Sequence, residues 1–187
     1  MSNTAEIFEP VTRMSRAEYR AWAEQQPRGR FERINGIVVA MALERITHAR
    51  AKARVWQALD RAIRAAGVPC EALPDGVTVE VGDSDYEPDA IVQCGPLDPN
   101  GLVADNPIII VEVLSPSTSG MDRAGKPQEY FRLPSVRHYL IVWPDKSQIA
   151  HHRRDADGAI ETSIVTNGDI RLDPPGITIA VGDVYAP

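Results

Sequence analysis

The sequence predicts an α/β or α+β protein, with a mixed β-sheet flanked by helices and an antiparallel meander near the C-terminus. Three observations carry that expectation. Helical and strand-like segments follow one another in the order helix, hairpin, helix, strands, helix, strands. The branched apolar run Ile108 to Val111, continued past Glu112 by Val113 and Leu114, reads as a buried strand. Three further strand-like segments, HYLIVW, QIAHHRR and AIETSIVT, are separated by the turns Asp145-Lys146 and DADG, as in a meander.

Each element has a local cause. Ser15 and Glu18 form a capping-box pattern that starts a short helix through about Gln25. In FERINGIVVAM, Asn35-Gly36 lies between two apolar runs, the strongest short hairpin signal. Thr47 is the expected cap of HARAKARVWQALDRAIRAA, and Gly67 its stop. At about 100° per residue, Val55, Leu59, Ala62, Ile63 and Ala66 share one face of that helix. Arg50, Arg54, Arg61 and Arg64 stripe the opposite face, either as a solvated surface or as a track along a phosphate backbone. His48 points toward the apolar face in the first turn. Val77 to Val81 alternates as a strand, GDSDYEP turns the chain, and Asp89 opens its return. Gly95 to Asn106 is a loop, and SPSTSG breaks the chain after the Ile108 strand. A helix is expected over roughly 122–133, although Pro127 must either kink it or begin it. PPG and a last strand, ITIAV, end the chain.

The bulk numbers narrow the class. The length suits a single domain over 1–187. The sequence has no apolar stretch near the ~20 residues of a membrane span, and MSNTAEIFEPVTR has no apolar signal core. A cytoplasmic location is expected. Cys70 and Cys94 form no CxxC and have no zinc-like spacing, so free thiols are the expectation. The net charge of −6 argues against a large nucleic-acid footprint. Its distribution is uneven: no Lys or Arg occurs from Ala65 to Asp122, a stretch rich in Asp and Glu. That reads either as a solvated acidic surface or as a cation site framed by basic elements.

Glu112 is the sharpest feature. An unpaired carboxylate inside a buried strand costs several kcal/mol. Alternation puts Ile108, Ile110, Glu112 and Leu114 on one face. If the strand opened by Asp89 is a neighbour, two carboxylates meet, and a divalent cation such as Mg²⁺ compensates them. His151 and His152 face opposite ways on a strand and read as surface residues.

Pro88-Asp89 followed by Glu112 after an apolar run resembles the PD-(D/E)XK nuclease superfamily, which places a lysine two residues after the second acid. Leu114 stands there instead. The longer block VEVLSPSTSGMDRAGKPQEY resembles the Uma-type family of restriction-endonuclease-like proteins, in which that lysine has moved to the next helix. Asp122, Lys126 and Tyr130 fit its four-residue steps. FERINGIVVAM resembles that family's early hairpin, with Glu32 as its acid, and His48 its helix-opening histidine. SVRHYLIVWPDKSQIAHHRR resembles its later strand pair.

The resemblance implies a restriction-endonuclease-like core and a nuclease acting on nucleic acid, expected to be DNA. It also implies Mg²⁺ or Mn²⁺ held by Asp89, Glu112 and the Val113 carbonyl. Lys126 would act on the water or on developing charge, Glu32 would complete the coordination, and Tyr130 would sit behind the lysine. A homodimer through the apolar strands of the meander is expected. The alternatives are a catalytically silent nucleic-acid-binding or structural protein of the same fold, or a hydrolase using the same two acids without a metal.

Overall fold

The computed structural model describes residues 13–114 and 125–185. Helix α1 (Arg16–Ala23) begins at Ser15 with the full capping box: Glu18 N–H donates to the Ser15 side chain, and Ser15 N–H to the Glu18 carboxylate. Strands β1 (Phe31–Ile34) and β2 (Ile37–Ala40) form the expected hairpin, with Asn35 and Gly36 both at positive φ.

Helix α2 (Ile46–Ala66) starts one residue before the expected cap. Arg45 is its N-cap without a side-chain bond, and Thr47 lies exposed in the first turn. Gly67 ends it in the left-handed region, as expected. Val55, Leu59 and Ile63 are buried, Ala62 is half-buried and Ala66 is exposed, so the apolar face fades at the last turn.

The central sheet runs β10-β9-β8-β7-β6-β3. It comprises β3 (Cys70–Pro74), β6 (Ala90–Cys94), β7 (Pro107–Val113), β8 (His138–Trp143), β9 (Gln148–Arg154) and β10 (Ile160–Val165). Only the β7–β8 pairing within it is parallel, so the sheet is mixed as the sequence predicts. A smaller sheet runs β2-β1-β5-β4, with β4 (Val79–Val81) and β5 (Ser84–Tyr86). Here the structure corrects the sequence. β4 does not return as the Asp89 strand; it turns at Gly82-Asp83 and pairs with β5. The chain then crosses sheets at Glu87 to Asp89, where Pro88 needs no ladder partner. β6 lies between β3 and β7 instead.

The central sheet carries an apolar cluster on each face. On one, α2, the hairpin β11 (Asp169–Leu172) and β12 (Ile177–Ala180), and the short α4 (Val181–Tyr185) pack on Val92, Ile109, Val111 and Leu140. On the other, Ile91, Ile110, Leu114 and Ile141 pack against β4, β5 and Tyr130. Tyr130 belongs to α3 (Lys126–Tyr130), which begins at Lys126 with Pro127 in its first turn. Pro127 thus stands in the first turn of the described helix, and the expected 122–133 span ends early, at Tyr130. Asp122 and the SPSTSG segment lie outside the described residues.

Two residue types end up in places the sequence did not suggest. Cys70 and Cys94 are not free thiols. They stand opposite each other across β3 and β6 and are joined by a disulfide. His151 is not a surface residue: it is buried and lies 2.9 Å from the fully buried His138. His152 is half-buried, bonded to Thr162.

Candidate active site

The site forms where β7 ends. Glu112 lies on the face shared with Ile110 and Leu114, where it is 4% exposed. The positive partner its burial demands is Lys126, the first residue of α3. Its Nζ donates to Glu112 Oε1 at 3.0 Å and to Glu32 Oε1, from β1, at 3.2 Å. The Tyr130 hydroxyl, one helical turn on, donates to the same Glu112 oxygen at 2.9 Å. Glu32 also accepts from Glu87 N–H at 3.1 Å. The hairpin, the central strand and the short helix thus bring Glu32, Glu112, Lys126 and Tyr130 together, all buried.

An aromatic wall encloses them. The Tyr86 ring lies 5.5 Å from Lys126 Nζ, and the rings of Tyr86, Tyr130 and Tyr139 follow one another at 5.2 and 5.4 Å. Burial raises the Tyr130 hydroxyl well above its ordinary pKa, reinforced by the Glu112 and Glu32 charges, so it stays a donor.

Asp89 enters from the neighbouring strand. The register sets Ala90 opposite Val111, which carries Asp89 to the end of β7. Its Oδ2 accepts from Val113 N–H at 2.6 Å, and its own N–H donates to Val111 O at 3.0 Å. Burial raises the Asp89 pKa, while the Val113 bond and the charges of His48, Lys52 and Lys126 pull it back. A carboxylate in that condition has too little positive charge around it for its degree of burial.

Behind Asp89 lies a second group that the sequence reading missed. Lys52 is 8% exposed and meets Glu44 at 2.5 Å, Asp75 at 2.7 Å and Asp89 Oδ1 at 3.7 Å. Its burial favours the neutral form, but the bonds to Asp75 and Glu44 outweigh it and hold the ammonium charged. The same bonds, with Arg30 on Asp75, keep Glu44 and Asp75 below their usual range against their burial. A cavity of about 290 Å³ opens here beside Asp89, lined by Lys52, Trp56, Pro74 and Asp75 among others. The signal was present in the sequence: Lys52 shares the α2 face of Val55 and Leu59, three and seven residues on, where a lone lysine needs partners.

His48, one turn before Lys52, touches the site through the backbone. Its Nε2 lies 2.7 Å from the Val113 carbonyl and its Nδ1 2.6 Å from Glu44 Oε1. Both neighbours are acceptors, an arrangement that suits a ring donating through both nitrogens. The Val113 carbonyl expected as a metal ligand therefore accepts from His48 in this structure.

Of the arginine stripe, Arg50, Arg61 and Arg64 are exposed and Arg54 is half-buried. Arg64 pairs with Asp60 at 2.9 Å, and Arg61 lies 3.6 Å from Asp183, which weakens the positive field of that half of α2.

The donors fit a hard cation. Asp89, Glu112, Glu32 and the Val113 carbonyl offer oxygen alone, the chemistry Mg²⁺ and Mn²⁺ take. Among the described residues no group of three or more His, Cys, Asp and Glu is assembled as a ready-made ion cage. Mg²⁺ needs only one or two carboxylates when water and substrate oxygens complete its shell.

Known proteins match this chain over nearly its whole length. It is 29% identical to an uncharacterised protein of Synechocystis sp., covering 94% of this chain and 93% of that one. Its fold matches the crystal structure of "a putative nuclease belonging to DUF820" from Anabaena variabilis, with a TM-score of 0.73 at 15% identity, over 92% of this chain and 98% of the other. Residues 16–182 match the Uma2 family, described as "Putative restriction endonuclease". The buried acids and lysine at the end of β7 are thus set in a chain that belongs to the Uma2 family.

Proposed function

We propose that the protein is a metal-dependent nuclease that hydrolyses phosphodiester bonds in DNA, with Asp89, Glu112, Lys126 and Glu32 as its working residues. One observation carries the reading: a buried lysine is shared between two buried carboxylates, 3.0 Å from Glu112 and 3.2 Å from Glu32, beside the under-compensated Asp89. A fold alone does not need so many desolvated charges in one place.

Asp89 and Glu112 would hold Mg²⁺ or Mn²⁺, with the Val113 carbonyl and Glu32 as further oxygen donors. The ion supplies Lewis acidity toward the phosphate and makes water more acidic. The chain's own groups do the rest. Tyr130 fixes the Glu112 carboxylate through its hydroxyl. Lys126, whose ammonium lies between Glu112 and Glu32, would offer its positive charge to phosphate oxygens, where negative charge grows in the transition state. Val113 N–H holds Asp89 Oδ2 and orients the other oxygen. His48 positions the end of β7 through the Val113 carbonyl. Arg50 and Arg54, on the half of α2 nearest the site, are the favoured contacts for the nucleic-acid backbone.

The test is cleavage of supercoiled plasmid by the purified protein with Mg²⁺ or Mn²⁺. Cleavage abolished by EDTA and by Glu112→Gln supports the reading. Binding of DNA without cleavage at any metal concentration favours a silent nucleic-acid-binding protein, and cleavage indifferent to EDTA rules out the metal.

A further inference from the structure

β10 is the outer strand of the central sheet, and among the described residues no strand pairs with its outer edge. Sheet edges are normally blunted by lysine, proline or a bulge. β10, IETSIV, has none of these. It pairs with β9 residue for residue, from Ile160 opposite Arg154 to Val165 opposite Ile149, without a register shift. Its one charge, Glu161, is taken by Arg153 of β9. Ile160 and Ile164 share one face, 42% and 54% exposed.

Two hydrogen bonds fix which main-chain groups face outward. Across the turn, Asp155 N–H donates to Ala159 O at 2.9 Å, while Arg154 N–H donates away from β10, to Arg137 O at 2.9 Å. Arg154 and Ile160 are therefore a non-hydrogen-bonded pair. Alternation along the ladder gives Thr162 and Ile164 the same status. The N–H and C=O groups of Ile160, Thr162 and Ile164 point out of the sheet, and those of Glu161 and Ser163 point to β9.

This edge is complementary to itself. A two-fold axis at Thr162 sets Ile160 against Ile164 of the partner subunit and Thr162 against its own counterpart, antiparallel. Every outward donor of the three residues then meets an outward acceptor, and the exposed isoleucines pair side by side on one face. An axis between Thr162 and Ser163 instead opposes groups already spent on β9, and an axis at Ser163 sets Ile164 against Thr162 and leaves the isoleucines unpaired. We propose that β10 is a homodimer seam, in which two copies join edge to edge about Thr162 into one continuous sheet. The contact is isologous, so it closes at two copies. It leaves both β7 ends on the same face of the joined sheet, separated across the strands by seven interstrand spacings, roughly 34 Å.

The test uses the full chain. Light scattering across a concentration series should show a monomer–dimer equilibrium. Thr162→Pro removes an outward N–H and, with the hydroxyl, the bond to His152, but no backbone bond of the β9 ladder, and should weaken dimerisation about tenfold or more, as should Ile164→Lys. Thr162→Cys places two thiols about 5.5 Å apart by Cα across the axis, within disulfide range. It should cross-link on mild oxidation, while Asp157→Cys, in the β9–β10 turn, should not. The proposal is overturned by a wild-type monomer at every concentration, by a dimer that neither Thr162→Pro nor Ile164→Lys weakens, or by Thr162→Cys cross-linking no better than Asp157→Cys. Unchanged circular dichroism of the Thr162→Pro variant separates loss of the seam from loss of the fold.

Discussion

Lys126 Nζ lies 3.0 Å from Glu112 Oε1, and both side chains are 6% exposed. This contact settles why a carboxylate is tolerated inside a strand as apolar as β7. Glu112 is compensated in the metal-free protein, by Lys126 and by the Tyr130 hydroxyl, and is not the poorly solvated charge the strand pattern suggests. Lys126 occupies the position of a resident cation and shares it with Glu32. On the proposed reading, metal binding and lysine placement would be coupled.

Lys126→Met should leave Mn²⁺ affinity undiminished, because it removes a competing positive charge from Glu112 and Glu32. It should reduce plasmid cleavage by ~10²–10³-fold, the usual worth of a positioned charge at a phosphoryl centre. It should also destabilise the metal-free protein by about 3–5 kcal/mol, since two buried carboxylates lose their shared partner. Calorimetric Mn²⁺ titration, plasmid cleavage and urea unfolding read the three effects. A variant that cuts as fast as wild type shows that Lys126 is structural.

Glu112→Gln should weaken Mn²⁺ binding and lower metal-free stability by about 1–3 kcal/mol, because the buried Lys126 ammonium loses the Glu112 carboxylate. An isolated buried charge would give the opposite sign, a more stable metal-free protein. Thermal melts in EDTA decide between them.

Lys52→Met should destabilise the protein by on the order of 1–3 kcal/mol, since Glu44, Asp75 and Asp89 converge on that one ammonium. Lys52→Arg should recover part of the loss. A melting temperature unchanged in Lys52→Met would show that the cluster is solvated.

Acid should weaken the fold through His138, on the strand next to β7, and His151, on the strand beyond. Burial pushes both down to about 4, His138 helped by its neighbour His151 and His151 by Arg153. Both are neutral in the folded protein above that value, while the unfolded chain takes up protons below about 6.5. Their contribution is complete above pH 6.5 and is lost as pH falls toward 4. The slope is at most about 1.4 kcal/mol per pH unit for each ring. Urea unfolding at pH 7.5 and 5 should show the loss, and His151→Phe should flatten the slope.

Much of this was legible in the sequence because its causes are local. The Ser15 box, the Asn35-Gly36 hairpin, the Gly67 stop and the meander each rest on neighbours in the chain. That Lys126 and Tyr130 would gather at Glu112 was expected only from the family resemblance of VEVLSPSTSGMDRAGKPQEY, and the structure does bring the three side chains together. What escaped depends on register and on pairing between distant strands. Nothing near Cys70 announces that Cys94 stands opposite it, and nothing near His151 announces the buried His138. β5 was absorbed into a turn because three residues are too few for alternation to show. Lys52 escaped because its partners come from Glu44, Asp75 and Asp89, on three separate segments. The expected Thr47 cap failed because α2 begins without a side-chain cap at all.

The central claim is that Asp89 and Glu112 hold one divalent ion. Anomalous scattering from a crystal soaked in Mn²⁺ tests it most directly. The account predicts a single strong peak in contact with a carboxylate oxygen of each residue, with the Lys126 ammonium moved off Glu112. A soaked crystal with no manganese at that position, and Lys126 still paired with Glu112, would contradict it.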